Sequence, residues 1–229
     1  MALYVLGDLH LSLSSDKPMD VFGAKWADHD RKLRESFSLL SPEDTTVLCG
    51  DLSWAMGLEE ASEDLRFIDA LPGRKIILKG NHDYWWSTAR KFYDFCDAHG
   101  FSGMHVLNNN CWTYGETALC GTRGWFYEEE KHGEQDAKVF RRELMRLEVS
   151  LQAAGDREKL CFLHYPPRFG AYRCQEIQDL LVRYGVTACY YGHLHGASHR
   201  AAFEGFWDGI KYSLVSADYL DFRPIRVMD

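Results

Sequence analysis

The chain of 229 residues carries 26 basic against 34 acidic side chains, a net charge of −8, with 46% hydrophobic and 14% aromatic residues. That apolar share excludes a disordered chain, and 19 Gly and 6 Pro without a period exclude a collagen-like one. The acidic balance, with a pI near 5.7, argues against a protein that holds nucleic acid by bulk electrostatics.

At about 150 residues per domain the length allows one large domain or two small ones. No repeat, low-complexity tract or Ser/Gly/Pro-rich linker divides the sequence, so a single domain over residues 1–229 is expected. Seven cysteines, an odd number without C-x-x-C spacing, indicate reduced thiols of a cytoplasmic protein rather than a disulfide scaffold or zinc ribbon. The N-terminal run breaks at Gly7 and Asp8, too early for a signal peptide, and no later run approaches the ~20 apolar residues of a membrane span.

In chain order, Ala2–Leu6, Thr45–Cys49 and Lys75–Leu78 read as buried strands. Ala27–Leu40 and Leu58–Leu71 read as helices between them. The second carries Leu58, Ala61, Leu65, Ile68 and Leu71 on one face. Trp86–His99 reads as a third helix, with Gly100 placed to stop it. This β-α-β-α-β rhythm predicts parallel strands joined by crossover helices. Cys111–Tyr114 and Thr117–Cys120 then form a hairpin through Gly115-Glu116. Glu134–Ala154 is the longest helix, with Phe140, Leu144, Leu147 and Leu151 on one face. Its Arg141, Arg142, Glu143 and Arg146 are expected on the solvated side. Strands resume at Leu160–Leu163 and Ala188–Tyr191 around a helix over Cys174–Tyr184. From Gly196 the tail reads as antiparallel strands turning at Asp208-Gly209.

Side chains able to bind metals follow these strands. Gly7-Asp8-Leu9-His10 comes after the first, Gly50-Asp51 after the second and Gly80-Asn81-His82-Asp83 after the third. His164 and Gly192-His193-Leu194-His195 come later. Each lies where open α/β sheets place their ligands, at the C-terminal ends of strands. Asp8 with His10, and His193 with His195, are two residues apart, so on extended backbone each pair points to one side. A mixed O and N donor set without thiolate suits Mn, Fe, Zn or Co better than Ca. Seven donors exceed one tetrahedral site and suffice for two ions sharing a carboxylate. Taken singly, each motif could be an ordinary turn or, at Asn81, a helix cap.

The ordered blocks Asp8-Leu9-His10, Gly50-Asp51, Gly80-Asn81-His82-Asp83, His164 and Gly192-His193-Leu194-His195 resemble the signature of calcineurin-like metallophosphoesterases over residues 7–196. The resemblance implies a four-layer α/β/β/α sandwich of two mixed sheets with a centre of two divalent metal ions. It implies Asp8, His10 and His195 at one metal, Asn81, His164 and His193 at the other, and Asp51 between them. His82 would be the proton donor, oriented by Asp83. The implied activity is hydrolysis of a phosphomonoester or phosphodiester of a small substrate through a metal-activated hydroxide, with Asn81 also touching the phosphate.

A nucleotide pyrophosphohydrolase is an alternative on the same metals. A non-catalytic module, like the retromer subunit that resembles this family, is another, although such proteins usually lose motif residues. Protein Ser/Thr phosphatases of the superfamily carry Asp and Arg soon after the second motif. Here Leu52-Ser53-Trp54-Ala55-Met56 has neither. Arg123 is the first candidate for the phosphate-gripping arginine and Arg168 the second. Trp54, Tyr84, Trp85, Trp86, Trp125, Phe126, Tyr127 and Tyr165 crowd the same edge. His29, His99, His105, His132 and His199 fall outside the motifs and read as ordinary polar residues.

Overall fold

Alternating apolar residues divide each central strand between two hydrophobic layers. In the computed structural model, which describes residues 1–15, 17–127 and 133–229, this produces two mixed sheets packed face to face. Among the described residues, the strands and α-helices up to residue 183 are β1 (Leu3–Leu6), α1 (His29–Phe37), β2 (Thr45–Leu48), α2 (Ser62–Ala70), β3 (Arg74–Ile77), α3 (Ala89–His99), β4 (Met104–Val106), β5 (Trp112–Tyr114), β6 (Thr117–Thr122), α4 (Glu134–Ala153), β7 (Glu158–Leu163), β8 (Arg168–Phe169), β9 (Tyr172–Arg173) and α5 (Gln175–Arg183). They are followed by β10 (Val186–Tyr191), β11 (Gly205–Trp207), β12 (Ile210–Leu214) and β13 (Ile225–Met228).

The first sheet has the order β13-β1-β2-β3-β4 and the second β11-β12-β10-β7-β6-β5. Strands β1 to β4 run parallel, as the alternation with helices predicts, and β13 closes the sheet antiparallel to β1. Leu3, Val5, Val47, Cys49 and Ile76 point into the layer between the sheets, where they meet Leu119, Leu160, Phe162 and Tyr190. Leu6, Leu48 and Ile77 point outward onto Leu33 and Phe37 of α1, Leu65 and Ile68 of α2 and Phe92 of α3. On the far side Cys120, Leu163 and Tyr191 meet Phe140 and Leu147 of α4 and Ile177 of α5. The result is four layers, helix-sheet-sheet-helix.

Helix limits are narrower than the hydrophobic patterns predict. Helix α3 begins only after Thr88, whose hydroxyl accepts the Lys91 N–H as N-cap, and stops at Gly100 with φ 71°. Two strands of the first sheet are additions. Strand β4 is three residues long, too short for a periodic signal. Strand β13 pairs with residues more than two hundred positions away. Glu143 corrects another expectation: it is buried on α4, only 3% exposed, rather than solvated. His132 lies outside the described residues, as does part of the loop between Gly121 and Gly133. Among the described residues, no helix is long and apolar enough to cross a membrane.

Candidate metal centre

The loops after β1, β2, β3, β7 and β10 meet at one edge of the sandwich. Backbone bonds tie them: Asp8 N–H donates to the Gly50 carbonyl (2.9 Å), His10 N–H to Asp51 (2.9 Å) and Gly192 N–H to His164 (3.1 Å). All seven sequence-predicted metal-binding residues come together here. Asp8, His10 and His195 form one group of mutually close donor atoms, and Asp51, His164 and His193 a second. Asn81 joins the second group, its Oδ1 2.6 Å from His164 Nε2.

Asp51, a member of the second group, also faces His10 of the first. Its Oδ1 accepts the His82 N–H (2.7 Å), while Oδ2 is buried without a hydrogen-bond partner among the described residues. That free oxygen stands 3.4 Å from His164 Nε2 and 3.7 Å from His10 Nε2. A buried carboxylate oxygen without a partner is costly, and a cation is the natural complement of one that faces two imidazoles. The donor set therefore fits divalent ions.

Local backbone supports the same reading. Asp8, His10, Asp51 and His193 all have positive φ, 59°, 46°, 50° and 75°. Non-glycine residues adopt this region at a cost of order 1–3 kcal/mol each, and such strain clusters at functional sites. Two glycines let the loops approach. A Cβ on Gly192 would lie 2.5 Å from Asp8 Oδ2, and one on Gly80 would collide with the Asp51 carboxylate.

Burial sets the protonation pattern. It pushes Asp8 up to about 7, with the Asp51 charge adding to the rise, and Asp51 up to about 6, and nearby histidines oppose the rise at both. Burial drives His164 and His193 down to about 3 and lowers His10, so three imidazoles stand neutral with a lone pair available. His195 behaves differently. Burial would lower it, but its Nδ1–H bond to Asp218 (2.9 Å) and the Asp8 charge outweigh that and hold it above the ordinary histidine value.

His82 stands at the rim. Its ring packs against Trp54 at 4.3 Å between centroids, and its Nδ1 lies 3.3 Å from the Tyr84 hydroxyl. The hydrogen bonds of Asp83 run elsewhere than to His82. Its fully buried carboxylate accepts N–H groups of Asp51, Leu52, Ser53 and Gly80 and the indole N–H of Trp85. Asp83 thus pins the β2 and β3 loops to each other rather than orienting the His82 ring.

Of the aromatic residues, Trp54, Tyr84 and Tyr165 face the cluster. Trp54 stacks on His10, and Tyr165 sits 4.4 Å from His193. Trp125 packs behind Tyr165, Trp86 packs on Phe92, and Trp85 is buried. Phe126 packs on Phe169 and Tyr172, and Tyr127 stacks on Phe140. Arg168 is not brought to the cluster, because its guanidinium stacks on Phe203 at 3.7 Å and on Trp207. Arg123 is nearer: its carbonyl accepts the N–H groups of His164 and Tyr165, while its guanidinium pairs with Glu143 at 3.3 Å.

Three further residues support the site. Asp218 accepts from His195 Nδ1 and from Gly196 N–H (3.0 Å), and lies 3.2 Å from His199 Nε2. Buried His29 has its Nε2 3.2 Å from the His10 carbonyl. His29 and His199 therefore brace the site. Asp218 follows β12 in a tail without a motif, and nothing in the sequence marks it.

Side chains able to bind metal, gathered at the joint edge of two sandwiched sheets, match the layout of a metallophosphoesterase. Comparison with known proteins gives the family: the chain belongs to the calcineurin-like phosphoesterases, whose family model matches residues 1–197. No curated protein sequence matches it. Among solved structures it is similar to a phosphopantetheinyl hydrolase from Mycobacterium tuberculosis, with TM-score 0.62, 16% identity, and 99% of this chain and 95% of that one covered. A protein of unknown function from Aquifex aeolicus gives TM-score 0.52 and 16% identity over 98% and 95% of the two chains. A Thermus thermophilus protein gives 0.53 and 11% over 99% and 97%. At these identities the likeness concerns the fold alone.

Proposed function

We propose that the protein is a phosphohydrolase with a dinuclear centre, acting on a phosphomonoester or phosphodiester of a small molecule. The observation that carries this reading is the buried Asp51 Oδ2, unpartnered among the described residues, that faces both donor groups. Asp8, His10 and His195 would hold one divalent ion, Asn81, His164 and His193 the other, and Asp51 both. When bound, such ions neutralise the phosphate oxygens and acidify a water that attacks phosphorus.

The chain's own residues do the rest. Asp83 fixes the loops that present Asp51 and Asn81, so the phosphate meets a preset surface. The Asn81 side-chain amide offers an N–H to a phosphate oxygen while its oxygen serves the second group. Trp54 and Tyr165 cover the cluster's flanks and thin the water around it. His82 gives a proton to the leaving oxygen from Nε2, since Nδ1 is engaged by Tyr84. Burial lowers His82 despite the opposing Asp51 charge, so its imidazolium gives up that proton readily.

The test is hydrolysis of bis-p-nitrophenyl phosphate and p-nitrophenyl phosphate by metal-stripped protein to which Mn²⁺ is returned. Turnover that depends on Mn²⁺ and falls about 10²–10⁴-fold in His82→Ala supports the reading. Two bound metals without turnover of any ester would instead favour a binding module. The phosphopantetheinyl hydrolase among the similar folds makes phosphopantetheinyl compounds the first natural substrates to try.

A further inference from the structure

A cavity of about 260 Å³ lies at the ends of β3, β4 and β6. Among the described residues, Lys79, Arg123 and Arg146 line it with one carboxylate, Glu143. In a chain of net charge −8 these described residues place a net charge of two positive units in one hollow.

The wall is built rather than incidental. Buried Glu143 sits at the stripe position between Phe140 and Leu147. Its Oε2 accepts the Thr122 hydroxyl (2.6 Å), and its Oε1 takes both Arg146 (2.7 Å) and Arg123 (3.3 Å). The Arg123 guanidinium is also stacked on Trp125 at 4.5 Å. One carboxylate thus holds two guanidinium groups in fixed positions without satisfying them. Among the described residues, Arg123 Nε is buried with no hydrogen-bond partner. Ser87 and the first turn of α3 also line the hollow, so the positive end of that helix adds to the field. Guanidinium and ammonium groups crowded in this way complement a phosphate, whose oxygens accept several charge-assisted bonds.

Position relates this cavity to the metal cluster. Lys79 is two residues from Asn81, a span of about 6.5 Å on extended chain. The carbonyl of Arg123 holds His164 N–H, and contacts run from Arg123 through Trp125 and Tyr165 to His193. The volume is below the roughly 300–1,000 Å³ of sites that take a whole small ligand. It suits one charged arm of a molecule whose reacting phosphate lies over the cluster.

We propose that the Lys79–Arg123–Arg146 cavity binds a second phosphate of the substrate, which makes the substrate class a phosphate ester that carries another phosphate. The proposal rests on the phosphohydrolase reading for the first phosphate, but the cavity can be tested apart from it.

Metal-stripped protein is titrated with inorganic pyrophosphate by calorimetry, since without metals the cluster contributes little anion affinity. Binding should weaken about tenfold in Lys79→Ala and again in Arg146→Ala, the loss of one charge-assisted bond each. Arg141→Ala, on the exposed side of α4, serves as the charge-matched control and should bind as the wild type does. In Mn²⁺-supplied protein, the same variants should raise KM for adenosine 3′,5′-bisphosphate about tenfold more than for adenosine 5′-monophosphate. No pyrophosphate binding by the stripped wild type, or equal binding by all variants, overturns the proposal. An equal KM loss for both nucleotides also overturns it, because the cations would then serve the reacting phosphate. Pyrophosphate binding that depends on Lys79 and Arg146, in a protein that hydrolyses no ester, would sustain the cavity and refute the phosphohydrolase reading.

Discussion

Gly192→Ala isolates the geometry of the metal cluster from its chemistry. The substitution removes no donor atom and demands no forbidden backbone, since Gly192 does not have a positive φ. It adds one methyl group, 2.5 Å from Asp8 Oδ2 and 3.1 Å from Asp8 Cγ. Ordinary contact begins near 3.4 Å, so the carboxylate must retreat by about 0.9 Å. Asp8 has little room to do so: it is fully buried, accepts the His193 N–H at both oxygens (3.1 and 2.9 Å), and stands 3.5 Å from His164 Nδ1. Overpacking of this kind costs about 1–3 kcal/mol, which for a chain of this size lowers Tm by roughly 2–12 °C. A misplacement near 1 Å in a catalytic constellation costs about 10²-fold in rate. The assays are thermal unfolding of stripped protein and Mn²⁺-dependent hydrolysis of bis-p-nitrophenyl phosphate. Gly57→Ala is the control, because a Cβ there meets nothing within 4 Å. A Gly192→Ala protein with wild-type kcat/KM and Tm would show that the Asp8 carboxylate is not confined by Gly192, as would equal damage from Gly57→Ala.

Three other outcomes follow from the structure. Metal affinity should rise about tenfold or more from pH 5.5 to 7.5, because Asp8, Asp51 and His195 hold protons a cation must displace, whereas His164 and His193 do not; calorimetry in buffers of different ionisation enthalpy counts those protons, and a pH-independent affinity contradicts the assignment. Asp218→Asn should weaken metal binding by about 10–100-fold without unfolding the protein, since Asp218 orients His195 from behind; unchanged affinity would remove it from the site. Buried Lys75 donates to the carbonyls of Asp69, Leu71 and Gly73, and burial pulls it down to about 8 from 10.5. The unfolded chain binds the extra proton between those values, so the Lys75 contribution to stability increases as pH rises from 8 to 10; in urea unfolding the gap between wild type and Lys75→Met should widen over that range, and a constant gap would refute it.

Much of this site was legible because its residues sit at strand ends, where apolar runs stop abruptly at Asp8, Asp51, Asn81, His164 and His193. The parallel β1-β2-β3 core was legible for a related reason, as the helices between the strands leave a regular rhythm. Contacts made by distant backbone were not. Strand β13 pairs with β1 across nearly the whole chain, and Asp218 reaches His195 from a tail whose local pattern says nothing about it. Asp83 illustrates a different limit: the family resemblance implied that it orients His82, yet the turn sends its carboxylate inward to five N–H donors. Glu143 could have been read from the sequence, since it falls three residues after Phe140 and four before Leu147 on the buried stripe of α4.

Metal counting shows whether Asp51 joins two metal sites. Stripped protein equilibrated with excess Mn²⁺, freed of unbound ions and analysed by mass spectrometry of the metal should hold two ions per chain. Asp51→Asn should hold fewer than two, with weaker affinity for what remains. A wild-type stoichiometry of one or none, or two ions held equally well by Asp51→Asn, would rule out a carboxylate shared by two metal sites.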